Sequence, residues 1–451
     1  MSFNLHVEDF GKIKKADIEV KPLTLFVGDN NSGKSYLLSL IWGLRNSDCI
    51  NMIFQHSKEY LKLPLSVKIE SLISDIFDKK NEDTISSSEF IVTSAEFVAF
   101  FNEVLKLEKK YFINIIFNSE KIKIGKLSLS ICNQREIKFK LLKNASGNLS
   151  VEYDYGSIFF SENFNFNNYK DVAVREILLS IVRCYLNNSK NNIYLPAART
   201  GFVLSKNILN QYGRSIAFTM YQDKMKADKS SYFTKPIVDF LDKLEANAVG
   251  GTKYKNIIDF IEREMSNGKI EYINENSKEI SYIPNGMNEK FPLMITSALV
   301  TELTPLILLL KNHLFINTIC YEEPEMCLHP KYQAIMARVL IQLVNKKIDI
   351  IATTHSDIIL QHINNMCILA GLDKEKREKI FAKYGLYKTD LIKFDNVNVY
   401  QMRVDNNQTV VAQIIPEKYG FDVHTFTDAL ENILTQSMYI NKSMVGNDNV
   451  C

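Results

Sequence analysis

No property of this 451-residue chain is extreme, and each missing extreme removes a class of protein. Lys and Arg number 54 against 52 Asp and Glu, a formal net charge of +2. No global field therefore draws the chain to nucleic acid, and DNA remains open only through a local patch. The seven cysteines are scattered, odd in number and never spaced as C-x-x-C. That pattern argues against a disulfide framework or a zinc site, and fits reduced thiols in the cytoplasm. The first residues, Met1-Ser2-Phe3-Asn4-Leu5-His6, carry no basic region and no long apolar stretch, so no secretory signal is expected. The most apolar window, 303–321, is broken by Lys311 and His313, which argues against a membrane span. Internal repeats, low-complexity tracts and linkers rich in Pro, Gly or Ser are also missing. What remains, 46% hydrophobic and 11% aromatic, is ample for a buried core. The length allows two or three domains, or one core with large insertions.

The chain is organised around Gly28-Asp29-Asn30-Asn31-Ser32-Gly33-Lys34-Ser35, which satisfies G-x-x-x-x-G-K-[ST] at every fixed position. The β-prone run Leu23–Val27 precedes it, and an apolar run beginning at Tyr36 with the spacing of a helix follows. Gly28 and Gly33 let the backbone curl, so that N–H groups from Asn30, Asn31, Ser32 and the helix start near Tyr36 point at phosphate oxygens. Lys34 is expected to reach the β- and γ-phosphates and the Ser35 hydroxyl to ligate Mg²⁺. The expected ligand is a nucleoside triphosphate.

A second half of the site lies far along the chain. Phe315–Tyr321 is a mostly apolar run of strand length, followed at once by Glu322-Glu323-Pro324-Glu325. Carboxylates at the C-terminal end of a buried strand stand where open α/β sheets bind ligands. Glu322 is expected to hold Mg²⁺, mostly through water, and Glu323 to orient or deprotonate the attacking water. A helix over 331–345 and a strand over 348–353 then lead to Thr354-His355-Ser356. The stretch from Glu322 to His355 has the length of one right-handed β-α-β unit, which brings His355 toward the γ-phosphate or the attacking water.

Taken together, the phosphate loop, Tyr321-Glu322-Glu323-Pro324-Glu325 with Leu328-His329-Pro330, and Thr353-Thr354-His355-Ser356 resemble the ABC-type ATPases of the RecF/SMC and overcoming-lysogenization-defect (OLD) branch. The match is closest to the stand-alone bacterial AAA-family ATPases of that branch, of the antiphage-defence kind. The resemblance implies an α/β P-loop ABC-type ATPase fold with an antiparallel β subdomain and helical insertions. It implies ATP with Mg²⁺, slow hydrolysis, Glu323 as catalytic glutamate and His355 as switch histidine. It also implies a head-to-tail dimer or higher oligomer, in which a signature Ser of one subunit meets the partner's γ-phosphate. The matching stretch is Thr296–Leu303, with Ser297 as the signature Ser and Ala298 where the family has Gly. Arg199, in Leu195-Pro196-Ala197-Ala198-Arg199, stands where the family has Leu-Pro-Ala-x-Arg and is expected near the nucleotide.

On that resemblance, residues 1–45 begin the ATPase domain with its P-loop and 46–112 form a helical insertion. Residues 113–200 form an antiparallel β part, with strands at 112–116, 123–129, 137–141 and 149–153, and return to the core through a helix at 171–187. A second helical insertion occupies 201–268, with the charged run 223–229 as a solvated face. Residues 269–451 complete the ATPase domain, with strands at 269–283, a hairpin at 397–411 and a last helix near 424–435. After His355 there is no D-x-D, so no Toprim-type nuclease is expected in the chain, and no long heptad run forms coiled-coil arms. The implied function is ATP-dependent control of a separate effector, a nuclease or toxin, in antiphage defence. A RecF-like repair ATPase on duplex DNA and a nucleotide-gated scaffold with little hydrolysis stay open as alternatives.

Overall fold

The structure, a computed structural model, describes residues 2–78, 86–144, 148–160, 166–206, 208–209, 233–244, 253–272, 279–423, 431 and 433–441. The charged run 223–229 lies outside these residues, as does most of the helix expected near 424–435.

The chain opens with β1 (Phe3–Phe10), β2 (Ile13–Glu19) and β3 (Leu23–Gly28). The first two are an antiparallel hairpin turning at Gly11, whose φ of +60° suits glycine. Further strands are β4 (Ser86–Thr93), β5 (Lys126–Ile131), β6 (Glu136–Lys143), β7 (Leu149–Tyr153), β8 (Gly156–Phe159) and β9 (Asn192–Leu195). After β10 (Gly268–Tyr272), β11 (Ile280–Pro284) and β12 (Phe291–Pro292) come β13 (Thr318–Glu322), β14 (Asp349–Thr354), β15 (Val397–Asp405) and β16 (Gln408–Ile414). Nine of these strands make one sheet in the order β5-β1-β2-β16-β15-β3-β14-β13-β9. From β15 to β9 every pairing is parallel.

These parallel strands are sandwiched between helices, so they need apolar side chains on both faces. Along β3, Leu23, Leu25 and Val27 face one core and Phe26 the other. In β14, Ile350 and Ala352 face the second core while Ile351 faces the first. On the first face lie α1 (Lys34–Arg45), α2 (Ser47–His56), α3 (Pro64–Asp78), α4 (Ser94–Phe117) and α5 (Phe166–Leu186). After α6 (Lys235–Leu244) and α7 (Lys255–Ile261), the second face is covered by α8 (Ala298–Asn312), α9 (Pro330–Asn345) and α10 (Asp357–Ala370). The short charged α11 (Lys374–Tyr384) follows and buries none of its residues. The apolar window 303–321 is largely α8, buried around most of its circumference. Among the described residues no helix is long and apolar enough to cross a membrane.

Three local expectations are corrected. Residues 46–112 are not wholly helical, because β4 lies among them. The run Phe112–Ile116, read as a strand, is the end of α4. A Thr93/Glu96 capping box starts that helix, and Phe97, Phe101, Leu105, Phe112 and Ile116 form its buried face. A β-branched apolar run suits either state, and packing against α1 and α2 decides for helix. The antiparallel meander is also differently composed. Strand β5 pairs with β1 in the main sheet, and β4 completes a separate sheet in the order β4-β6-β7-β8.

The pairing of β3 with β15 sets a strict limit at Gly28. A Cβ there would stand 2.2 Å from the Met402 carbonyl oxygen, and φ is +120°. Gly28→Ala is expected to destabilise the fold by at least ~2 kcal/mol, since both backbone strain and a backbone clash must be relieved. A lower midpoint in urea unfolding at unchanged slope checks this.

Candidate functional site

The C-terminal ends of β3, β13 and β14 meet at one edge of the sheet, where the crossovers leave a crevice. The loop after β3 is braced on its far side by β15. The Asp29 N–H donates to the Met402 carbonyl (3.0 Å), and the Asp29 carboxylate accepts from Val404 N–H (2.9 Å). Asn31 (φ +57°) and Gly33 (φ +93°) take left-handed backbone and curl the chain into α1. No side chain caps that helix and its first turn holds no carboxylate. Its free N–H groups and positive dipole end therefore face the crevice, ready for an anion. Lys34 Nζ folds back onto the carbonyls of Gly28 (3.0 Å) and Asp29 (2.6 Å). Burial lowers the Lys34 pKa, opposed by the carboxylates of Glu323, Asp29 and Glu325.

A cavity of about 540 Å³ opens over this loop. The segment Asn30–Tyr36 lines it from one side, and Lys12, Glu323, Thr353 and His355 from the others. The structure thus brings together Lys34, Ser35, Glu323 and His355 from three separate strand ends. Glu323 has φ +43°, which costs a non-glycine residue roughly 1–2 kcal/mol. That backbone is fastened by its N–H, donated to the Thr353 carbonyl at 2.9 Å. Its carboxylate lies 3.9 Å from His355 Nε2. Burial and then the charge of Lys34 push the His355 pKa below its ordinary 6.5, against a weaker pull from Glu323, and so favour the neutral ring.

Three other expected site residues stand elsewhere. Glu322 does not line the cavity. Its carboxylate accepts from Tyr194 O–H (2.7 Å) and Ala197 N–H (2.9 Å), and so fastens β13 to β9. Arg199 was expected near the nucleotide and is instead fully buried. It pairs with Glu302 and donates to the backbone carbonyls of Pro196, Glu322 and Glu323. Ser297 is exposed at the N-cap of α8, its hydroxyl accepting from Val300 N–H, and it is not at this chain's own cavity.

Three site residues escaped the sequence reading. Lys12 sits in the β1–β2 turn, and only the assembled sheet carries that turn over the loop. Thr353 read as the end of a strand. Glu325 was in view as part of the acidic run but was given no task. Burial raises its pKa, and its carboxylate accepts from Thr354 O–H (2.9 Å) and His355 N–H, tying the turn after β13 to the end of β14.

The family model described as "AAA ATPase domain" matches residues 1–360. No curated protein matches the chain. Similar solved structures include the SMC head bound to the C-winged helix domain of ScpA, 13% identical over 92% of this chain and 98% of that one, TM-score 0.37. Another is the SMC head domain from Thermotoga maritima, 11% identical over 92% and 99%, TM-score 0.34. A third is the Smc head domain with an extended coiled coil bound to the C-terminal domain of ScpA derived from Pyrococcus furiosus, 13% identical over 95% and 98%, TM-score 0.36.

The electrostatics yield a direct expectation. Observed by NMR, the His355 ring should titrate below 6.5. Replacing Lys34 with Met removes a positive neighbour and should move that midpoint upward. An unchanged midpoint would mean that the two side chains do not sense each other.

Proposed function

We propose that this chain, which belongs to the AAA ATPase domain family, binds ATP with Mg²⁺ in the cavity beside α1 and slowly hydrolyses it. The observation that carries the reading is the convergence of Lys34, Glu323 and His355 on an uncapped helix N-terminus. The glycine curl and the open N–H groups fit a run of phosphates, and Lys34 exchanges loop carbonyls for phosphate oxygens. Among the described residues no three His, Cys, Asp or Glu are grouped to chelate a metal. Mg²⁺ would therefore be held by Ser35, the phosphates and water, and would neutralise phosphate charge. Glu323 is the general base, and the neutral His355 beside it can hydrogen-bond the γ-phosphate or the attacking water. Tyr36, half-exposed at the rim against Phe10 and Phe117, offers a ring face to the nucleotide.

The reading extends to assembly. Ser297 lies on the surface, next to Met294 and Ile295, which are 78% and 67% exposed. In a head-to-tail dimer, the N-terminus of α8 from one copy would close the other copy's cavity over the γ-phosphate. Motifs such as Glu322-Glu323-Pro324-Glu325 and Thr354-His355-Ser356 support membership of the OLD branch. We assign the ATP-driven change of the dimer to the control of a separate effector protein, a nuclease or toxin, in antiphage defence. One of the segments 46–112 and 201–268, which hydrolysis does not need, is its proposed docking site.

Two outcomes test the reading. Lys34→Ala should abolish ATP binding, while Glu323→Gln should keep ATP bound and slow turnover by ~10²-fold or more, as for the loss of a positioned base. A Gln variant that hydrolyses at the wild-type rate removes Glu323 from the mechanism. Separately, Ser297→Arg should block ATP-promoted dimerisation in sedimentation while leaving nucleotide affinity nearly intact. An ATP response equal to wild type would rule out the closed dimer.

A further inference from the structure

The geometry points to Arg199, clamped by Glu302, as the positioning residue that sets Glu323 in its working place and ties it to α8. The inference rests on the reading of Glu323 as the general base.

Four observations carry it. Arg199 is 0% exposed and Glu302 2% exposed, so the pair is removed from water and its geometry is fixed by its partners. Apart from its pair with Glu302, the guanidinium donates to backbone carbonyls. Nη1 donates to the carbonyls of Pro196 and Glu322, and Nη2 to that of Glu323 at 3.0 Å. It therefore holds the carbonyl of the peptide unit that enters Glu323 and the carbonyl of the one that leaves it, around a residue with left-handed backbone (φ +43°). The group also lies 4.8 Å from the centre of the Tyr321 ring, one residue earlier on β13. A planar fork with several donors can serve these acceptors at once, whereas a lysine ammonium cannot.

Glu302 supplies the other end. It stands on α8 five residues after Ser297, and besides pairing with Arg199 it accepts from Thr200 O–H at 2.8 Å. Thr200 and Thr301 hydroxyls lie 3.2 Å apart, a second tie between the same two segments. A shift of α8 would therefore pull Glu302, then Arg199, then the peptides around Glu323. Whatever engages Ser297 at the exposed end of α8 acts on the carboxylate in this chain's own cavity through these contacts. Buried, hydrogen-bonded links of this kind have few alternative arrangements, which suits them to transmit a displacement.

The test separates this role from plain structural support. Arg199→Lys should leave ATP affinity within about twofold and KM nearly unchanged while lowering kcat about tenfold or more, because a misplaced base costs rate and not ground-state binding. Glu302→Gln, which keeps the shape and the bond from Thr200, should lower kcat in the same direction by a smaller factor. Arg199→Lys is also placed in the Glu323→Gln background. If Arg199 acts through Glu323, the double variant should be no slower than Glu323→Gln alone. Wild-type kcat in Arg199→Lys, or the same loss in both backgrounds, overturns the inference. Should Arg199→Lys fail to fold, Glu302→Gln decides, and unchanged kcat there overturns it. If Glu323→Gln itself turns over at the wild-type rate, the general-base reading fails and this inference with it. A slow Glu323→Gln with a fast Arg199→Lys defeats the inference alone.

Discussion

Everything at this site depends on β3 being held between β14 and β15. Leu23–Val27 pairs in parallel with both neighbours, Gly28 with β15 alone, and the strand is buried along its whole length. Parallel pairing puts the carboxyl ends of the strands at one edge, so the loop after β3, His355 after β14 and Glu323 after β13 emerge together. The pairing also fixes the loop's own shape. Backbone bonds from Asp29 to Met402 and from Val404 to Asp29 leave the glycine curl little freedom before any ligand arrives. A loop already shaped for phosphate loses less entropy when it binds one.

The fold places three arginines inside the protein and gives each a carboxylate. Arg45 at the end of α1 meets Asp349 of β14 (2.7 Å) and Thr318 of β13 (2.8 Å). Arg338 on α9 meets Asp390, which also accepts from Gln342. Arg199 meets Glu302. Such pairs give little net stability over an apolar packing, yet removing one partner costs ~3–5 kcal/mol because a buried charge is left unmatched. Their effect here is geometric. Arg45 pins α1 to the starts of β13 and β14, Arg338 pins α9 to the turn at Lys388–Asp390, and Arg199 pins the segment after β9 to α8.

The chemistry-bearing residues could be read from the chain where local covalent order carries the information. Gly28, Gly33, Lys34 and Ser35 are neighbours, and their spacing alone dictates a curl followed by a helix. Glu323 and His355 needed one more step, the rule that a β-α-β unit returns parallel, and β13, α9 and β14 follow it. Glu322 and Arg199 turn inward for the same reason as each other. Both lie at strand ends beside the cavity, and only side-chain packing decides whether such a group turns to the ligand or into the protein. The Tyr194 hydroxyl, the Ala197 N–H and Glu302 supply the inward partners. Phe112–Ile116 failed differently, since a short β-branched run carries no mark that separates a strand from the end of a long helix.

By itself, then, the sequence determined the α/β class, the phosphate loop and the order in which the strand ends carry acidic and imidazole groups. Those follow from periodicity and from glycine and lysine at set spacings, which act over a few residues. The tertiary structure alone decided that Lys12 crosses from the β1–β2 turn to the cavity, that β5 joins the main sheet and β4 does not, and that Arg199 turns inward to Glu302 and the Glu323 carbonyl. Each of these is a contact between segments far apart in the chain. Such contacts arise only once the sheet order is set and buried polar groups have found their partners, because an unpaired charge in the interior is too costly to leave.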